Sequence, residues 1–269
     1  MSYATLMVHV ENEPGRVRLA ADLARRFQAT LIGIAARASM PVVTGEDAAV
    51  DAALLQQEDA GVRAFLDKAG EGFRSAAAEY GIAAEWRSAP DFPNDFVAQE
   101  CRSADLLIVG PSSAAAYRSL EAGSLLLNAG RPVLVVPKDI ASLAVRHVVV
   151  AWKDTRESRR AIRDALPFLR LAESVFLVEV AAWGAEANAV PRLKDVGRFL
   201  ARHHITSVAE RVLPDEPIAA DVLLRFAQEQ SADLIVAGAY GHSRLGEWIF
   251  GGVTRELLDR SPVCCLFSH

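Results

Sequence analysis

The chain contains the same half twice, and this internal repeat constrains the fold more than any other feature. Residues 105–110 read DLLIVG and residues 233–238 read DLIVAG, and each segment leads into a loop with the same spacing of small residues. These small residues are Gly238, Gly241, Gly251 and Gly252 in the second half, and Gly110, Ser113, Gly123 and Ser124 in the first. A strand that runs into such a loop and then a helix directs backbone N–H groups toward an anion, usually a phosphate.

The repeat predicts two domains of similar architecture. A chain of 269 residues is long enough for two such domains. In each half, five apolar runs of strand length alternate with four amphipathic helical patterns. Because the runs are apolar on both faces, each half is predicted to form a doubly wound, five-stranded parallel α/β sheet with helices on both faces. We place the domains at residues 1–137 and 146–269, with a linker at residues 138–145.

Three local features are also predicted. Residues 37–57 contain Pro41 and Gly45 and predict a loop over one sheet edge, followed by a long helix at residues 58–80. Asp154 and Glu157 have the spacing of a capping pair at the start of the next half's first helix. Each half ends on a Pro-led apolar strand that would leave an exposed sheet edge if it found no partner.

Composition excludes several function classes. The chain has 29 Lys and Arg against 34 Asp and Glu, so it lacks the basic surplus typical of nucleic-acid binding. Its apolar runs are of strand length, and Met1 and Ser2 do not begin a secretory signal. No metal-ligand cluster, Cys–His pair or serine-nucleophile motif is present in the sequence. We therefore expect a cytoplasmic protein that binds neither nucleic acid nor membrane.

The repeated loops resemble those of the universal stress protein family, and the resemblance to a tandem member covers nearly the whole chain. The family's loop reads Gly, two residues, Gly, nine residues, Gly and then Ser or Thr, after the fourth strand of a five-stranded parallel sheet. In nucleotide-binding members the loop surrounds ATP phosphates, while an Asp after the first strand and backbone at the end of the second hold adenine and ribose. The resemblance also implies antiparallel pairing of the two final strands, so that the halves pack as an internal pseudo-dimer.

The second half retains more of this pattern than the first. Gly252 stands where the family has Ser or Thr, and Lys153 stands where the Asp is expected. Losing a hydroxyl hydrogen bond to a phosphate costs about 1.5 to 3 kcal/mol, so weak binding of ATP or a related nucleotide, with or without Mg²⁺, is predicted. Gly241 is expected to have a positive φ, which Val adopts only at high cost. The candidate binding residues are Lys153, Val180, Ala237, Gly238, Tyr240, Gly241, Arg244, Gly251, Gly252 and Val253.

The first half departs from the pattern inside the loop itself. Ser113 replaces the second glycine, and Pro111 removes one backbone N–H donor. Glu11 is a tolerable substitute for the adenine-side Asp. The weaker candidates of this half are Glu11, Gly110, Ser112, Ser113, Gly123 and Ser124.

Three function classes follow from these observations. The first is a stress-response protein that binds ATP or another phosphate-bearing ligand weakly in its second domain, without efficient turnover. The second is a structural or protein-interaction member with vestigial loops. In either class the chain is expected to be an internal pseudo-dimer, with a homodimer as a further possibility. The third, an enzyme of the wider nucleotide-binding α/β group, is disfavoured because the Ser-Gly-Gly loop of ATP pyrophosphatases is absent after the first strand of either half.

Overall fold

The computed structural model of the chain describes residues 2–11, 13–39, 48–112, 118–182, 184–214, 218–241 and 252–269. Three of the candidate site residues, Ser113, Arg244 and Gly251, lie outside these ranges.

The first half alternates strands with helices, as the repeat predicted. Its strands are β1 (Thr5–His9), β2 (Thr30–Ala36), β3 (Ala84–Ala89), β4 (Leu106–Val109) and β5 (Val133–Val135). Its helices are α1 (Pro14–Phe27), α2 (Ala48–Tyr80), α3 (Pro93–Glu100) and α4 (Ala122–Asn128), with a 3₁₀ turn at Cys101–Ser103.

The second half repeats this order element by element. Its strands are β6 (His147–Ala151), β7 (Ser174–Ala181), β8 (Val208–Pro214), β9 (Leu234–Gly238) and β10 (Cys264–Ser268). Its helices are α5 (Arg156–Leu169), α6 (Glu186–Arg202), α7 (Ala219–Glu229) and α8 (Gly252–Arg260).

The ten strands of the described residues belong to one sheet, in the order β3-β2-β1-β4-β5-β10-β9-β6-β7-β8. Pairing is parallel within each half, and the halves join where β5 and β10 run antiparallel, with Leu134 opposite Leu266. This pairing confirms the α/β fold and the prediction that the two final strands cover each other's edges. Hydrogen bonding between these strands removes two exposed edges at once.

The helices cover both faces of the sheet, as strands buried on both sides require. One buried cluster contains side chains of α1, α2, α5 and α6, among them Leu19, Phe73, Ile162 and Leu193. The other contains side chains of α3, α4, α7 and α8, among them Val97, Leu125, Leu223 and Leu257. Each face therefore carries two helices from each half.

Two local predictions are wrong. Helix α2 begins at Ala48 rather than near residue 58, because residues 48–57 contain neither Gly nor Pro and are rich in Ala, Leu and Gln, which favour helix. Helix α5 is capped by Thr155, whose side chain accepts a hydrogen bond from the Ser158 N–H, and not by an Asp154–Glu157 pair. Asp154 instead contacts Arg159.

The connection between the halves packs against α1. Leu143 and Val145 are buried, and Arg26 donates hydrogen bonds to the carbonyl oxygens of Leu143 at 2.6 Å and Ala144 at 3.1 Å. Across the described residues, none of the helices has the length and apolar character needed to cross a membrane.

Candidate functional site

The second half holds a cavity of about 320 Å³ at the carboxyl ends of β6, β7 and β9. In parallel α/β sheets this is the edge at which ligands bind, because loops and helix N-termini converge there. The cavity is lined by Ala151, Trp152, Lys153, Thr155, Ser158, Val178, Val180, Ala219, Leu223, Ala237, Gly238, Tyr240, Gly241, Gly252, Val253 and Thr254. Its size lies at the lower end of the range for small-molecule sites.

The structure brings most of the predicted second-half residues to this cavity. Those on its wall are Lys153, Val180, Ala237, Gly238, Tyr240, Gly241, Gly252 and Val253. Lys153 lies on the stretch between β6 and α5 and supplies an ammonium group, whereas Val178, Val180 and Leu223 supply apolar surface. The cavity thus combines a cation, apolar walls and the N-terminus of α8.

Space, rather than backbone conformation, requires a glycine at positions 238 and 241. Gly241 does not have a positive φ, so that prediction is wrong; Tyr240 is left-handed instead, with a φ of 54°. A Cβ built on Gly238 would lie 2.6 Å from the backbone N of Ser158, and one on Gly241 would lie 3.1 Å from Oε2 of Glu157. The loop can therefore approach the first turn of α5 only because it has no side chains there.

Glu157 is a buried charge beside the glycine loop that the sequence did not identify, although it does not line the cavity itself. It is 3% exposed, and its carboxylate lies beside Gly241 and contacts Arg156. Burial acts to raise the pKa of Glu157, but hydrogen bonds from Arg156, its own backbone N–H and Thr155 outweigh burial and lower it. A charged carboxylate therefore faces the glycine loop. Its position in the first helical turn suggested a capping role and gave no sign of this contact.

Tyr240 connects the loops of the two halves. A Cβ built on Gly123 in the first half would lie 2.7 Å from Oη of Tyr240. Burial and then the charge of Glu121 raise the pKa of Tyr240 to about 12. The Tyr240 hydroxyl is thus directed at the first half, and its backbone N–H donates to Thr254 Oγ1 at 3.3 Å.

In the first half, the chain's own carboxylate stands where a phosphate would be expected. Glu121 precedes α4 and accepts hydrogen bonds from the backbone N–H groups of Gly123, at 3.0 Å, and Ser124. The Ser112 hydroxyl lies 3.4 Å from Glu121 Oε1 and accepts from the Ala122 N–H at 3.1 Å. Three of the predicted first-half residues are therefore engaged with Glu121 and its neighbour.

The two other described first-half candidates lie beside a buried arginine. A Cβ on Gly110 would overlap Nη1 of Arg16, and Glu11 Oε2 lies 3.7 Å from Arg16 Nη2. Arg16 is the third residue of α1, and the third residue of α5 is Ser158. The Ser158 hydroxyl therefore lines this space in the second half, whereas the Arg16 guanidinium occupies it in the first half.

The second half matches a known family. Residues 144–268 match the model of the universal stress protein family and so form a domain of that type. No curated protein matches the sequence.

Solved structures share the architecture of the whole chain. A universal stress protein from Archaeoglobus fulgidus DSM 4304 has a TM-score of 0.70 at 16% identity, over 98% of this chain and 97% of that one. A functionally unknown protein from Pseudomonas aeruginosa PAO1 has a TM-score of 0.60 at 16% identity, over 99% and 92% of the two chains. The cytoplasmic domain of a prokaryotic cation chloride cotransporter has a TM-score of 0.54 at 16% identity, over 98% and 94%. At these identities the similarity shows a shared fold.

Proposed function

We propose that the chain is a tandem universal stress protein whose second domain binds ATP or another phosphate-bearing ligand weakly. The observation that carries this proposal is the cavity at the carboxyl ends of β6, β7 and β9, where the glycine loop, Lys153 and the α8 N-terminus meet. The first half repeats the element order and the sheet order of the family-matched second half, which supports assigning residues 1–137 to the same domain type.

The cavity offers separate surfaces for the two parts of a nucleotide. The first N–H groups of α8 have no partner within the helix, and together with Lys153 they favour negative charge. Val178, Val180 and Leu223 offer an apolar surface for a base. Gly252 provides no hydroxyl, which weakens a phosphate contact about ten- to 150-fold relative to Ser or Thr.

Glu157 bears on how such a ligand is held. A charged carboxylate beside the loop repels a bare phosphate, whereas Mg²⁺ is commonly bound by one or two carboxylates together with substrate phosphates. We therefore expect the ligand to bind better with Mg²⁺ than without it. If Mg²⁺ does not improve binding, the carboxylate of Glu157 favours the alternative function, that of a structural or protein-interaction protein that binds no nucleotide.

Isothermal titration with ATP, ADP and AMP at millimolar concentration, with and without Mg²⁺, tests the proposal. Native protein should give saturable heat, and Gly241→Val should abolish it because the added side chain would enter the space beside Glu157 and Thr155. Gly61→Val is the matched control, since a Cβ at Gly61 of α2 meets nothing within 4 Å. If native protein shows neither heat nor a thermal shift, the non-nucleotide alternative is correct.

A gain-of-function variant tests the same site in the opposite direction. A Cβ built on Gly252 meets no atom of the described residues within 4 Å, so Gly252→Ser adds a hydroxyl at the α8 N-terminus without a steric conflict with them. We expect it to tighten ATP binding by about tenfold or more. Unchanged affinity in a variant of unchanged melting temperature would mean that no phosphate lies at this helix N-terminus.

We further propose that the protein has no efficient catalytic turnover. Hydrolysis requires a positioned base or a metal-held water, and the hydrogen bonds that lower the pKa of Glu157 make its carboxylate a weaker base. Typical enzymes turn over at about 1 to 1,000 per second, and we expect less than about 0.01 per second. A steady-state phosphate-release assay measures this rate; a value near one per second that falls in Glu157→Gln would identify an enzyme.

A further inference from the structure

A second cavity, of about 350 Å³, lies in the first half at the carboxyl ends of β1, β2, β4 and β5. Its charged lining is predominantly basic: Arg16, Arg37, Arg118 and Lys138 face Glu11 and Glu13. Helix α3 contributes no residue to this lining, and β2 contributes only the residue that follows it, Arg37. The apolar part of this lining comes from other elements than in the second half, namely Phe65 of α2 and the residues Pro111, Val136 and Pro137.

Arg16 is the central feature of this cavity. The residue is 4% exposed, yet its Nε and Nη2 atoms make no hydrogen bond with any described residue. Its contact with Glu11, at 3.7 Å, is an ion pair too long for a hydrogen bond. Buried guanidinium groups without hydrogen-bond partners are costly, so this one favours a ligand that can accept its hydrogen bonds.

Two further cations, Arg37 and Lys138, border the same space. The Arg37 guanidinium lies 4.6 Å from the centroid of the Phe65 ring and, like the Lys138 ammonium, forms no hydrogen bond or ion pair within the described part of the chain. Arg118 is paired with Glu58. The positive charge of Arg37 nevertheless adds to burial in lowering the pKa of Arg118, which indicates that the cationic groups repel one another.

The geometry also determines what kind of anion fits. Because Glu121 occupies the N–H groups at the start of α4, a ligand in this half would meet guanidinium groups rather than a glycine loop. Guanidinium groups match the oxygens of phosphate and of similar oxyanions through paired hydrogen bonds. The Arg37 guanidinium lies over the ring of Phe65, so an oxyanion rather than a base would meet this wall.

We propose that the first half binds a small phosphate-type oxyanion through Arg16, Arg37 and Lys138, separately from the nucleotide cavity of the second half. This site does not depend on the function proposed above. Its occupant replaces the missing hydrogen-bond partners of Arg16 and reduces repulsion among the basic groups.

Titration of the full chain with inorganic phosphate tests the proposal, with sodium chloride at matched ionic strength as the salt control. Native protein should bind phosphate saturably, and Arg16→Ser, which introduces the residue found at the equivalent position of α5, should weaken binding about tenfold or more. Arg18→Ser is the matched control, because Arg18 is an exposed arginine of α1 outside the cavity.

Two more variants keep the test informative if Arg16→Ser does not fold. Arg37→Ser, at a half-buried position after β2, should also weaken phosphate binding, and Glu11→Gln should strengthen it by removing a competing carboxylate. The proposal is overturned if native protein binds no phosphate, or if chloride gives the same response. It is equally overturned if Gly241→Val loses phosphate binding while Arg16→Ser retains it, since phosphate would then lie in the second half.

Discussion

Single residues make the two halves chemically different although their backbones repeat. Ser158 and Arg16 occupy the same helical position, and so do Ala151 and His9 at the ends of β6 and β1. The first half therefore carries an imidazole and a guanidinium where the second has a methyl group and a hydroxyl. The small residues leave the second-half cavity open beside the glycine loop. In the first half the Arg16 guanidinium lies against Gly110 instead and gives the cavity there a basic lining.

His9 makes stability depend on pH in a specific window. It is 2% exposed, and burial and then the charge of Arg16 lower its pKa to about 3. Because the unfolded chain takes up this proton near pH 6.5 and the folded chain does not, stability is fully present above that pH and falls toward pH 3. The contribution is at most about 1.4 kcal/mol per pH unit.

Urea unfolding of native protein and His9→Ala between pH 7 and pH 4.5 measures this contribution. The variant copies Ala151 of the second half and should lose less stability per pH unit than the native chain. Equal slopes would show that His9 is protonated in the folded protein.

The sequence predicted most of the residues that line the second-half cavity, but it predicted neither of the buried charges, Arg16 and Glu157. Gly238, Gly241 and Gly252 follow from loop spacing, and Lys153 and Val180 from their places after the first strand and at the end of the second. Arg16 and Glu157 lie in first helical turns, where charged residues are normally solvated, and only the close approach of the loops buries them. The positive φ expected of Gly241 belongs to Tyr240 because the turn begins one residue earlier.

At the level of elements, the contact between β9 and α5 sets the shape of the second site. The strand ends at Gly238, where the backbone of α5 comes so close that a side chain has no room. The pattern of apolar runs predicted these elements well because their strands are buried on both faces. It misplaced the start of α2, since Pro41 and Gly45 suggested a loop that continued to residue 57, although residues 48–57 have high helix propensity.

Gly238→Ala tests this contact. The added Cβ would lie 2.6 Å from the Ser158 backbone N and 2.7 Å from the Glu157 carbonyl carbon, and backbone atoms in a helix cannot give way. We expect a loss of about 1 to 3 kcal/mol in the free energy of unfolding. Gly72→Ala, in open space on α2, is the control and should be neutral or stabilising. Equal stability of the two variants in chemical denaturation would show that Gly238 lies farther from the α5 backbone than the structure places it.

For the whole molecule, the β5–β10 pairing makes two domains into one ten-stranded sheet. Tyr240 reaches Gly123 across the same region, so the two loops lie on either side of this junction. The repeat and the apolar final strands were sufficient to predict the pairing. The contact of Tyr240 with the first half was not predictable from the sequence, because it depends on the register in which the two halves of the sheet pair.

Val135→Asp tests the junction. Val135 is 5% exposed and pairs with Cys265, so an aspartate there would be buried without a partner. We expect a loss of more than about 3 kcal/mol in the free energy of unfolding, together with lower solubility. Val190→Asp, at a position of α6 that is 40% exposed, should change stability little. A similar small effect of both substitutions in thermal unfolding would argue against a buried junction.

Hydrogen–deuterium exchange with and without Mg²⁺–ATP tests most directly whether the nucleotide binds in the second half, because it measures the backbone protection of both loops in one experiment. We predict slower exchange at residues 237–241 and 252–254, which contribute to the second-half cavity. Exchange should be unchanged at residues 110–112 and 122–124, where Glu121 accepts the hydrogen bonds of the α4 N-terminus. Protection confined to the first-half segments, or no protection in either half at saturating ATP, would contradict the account.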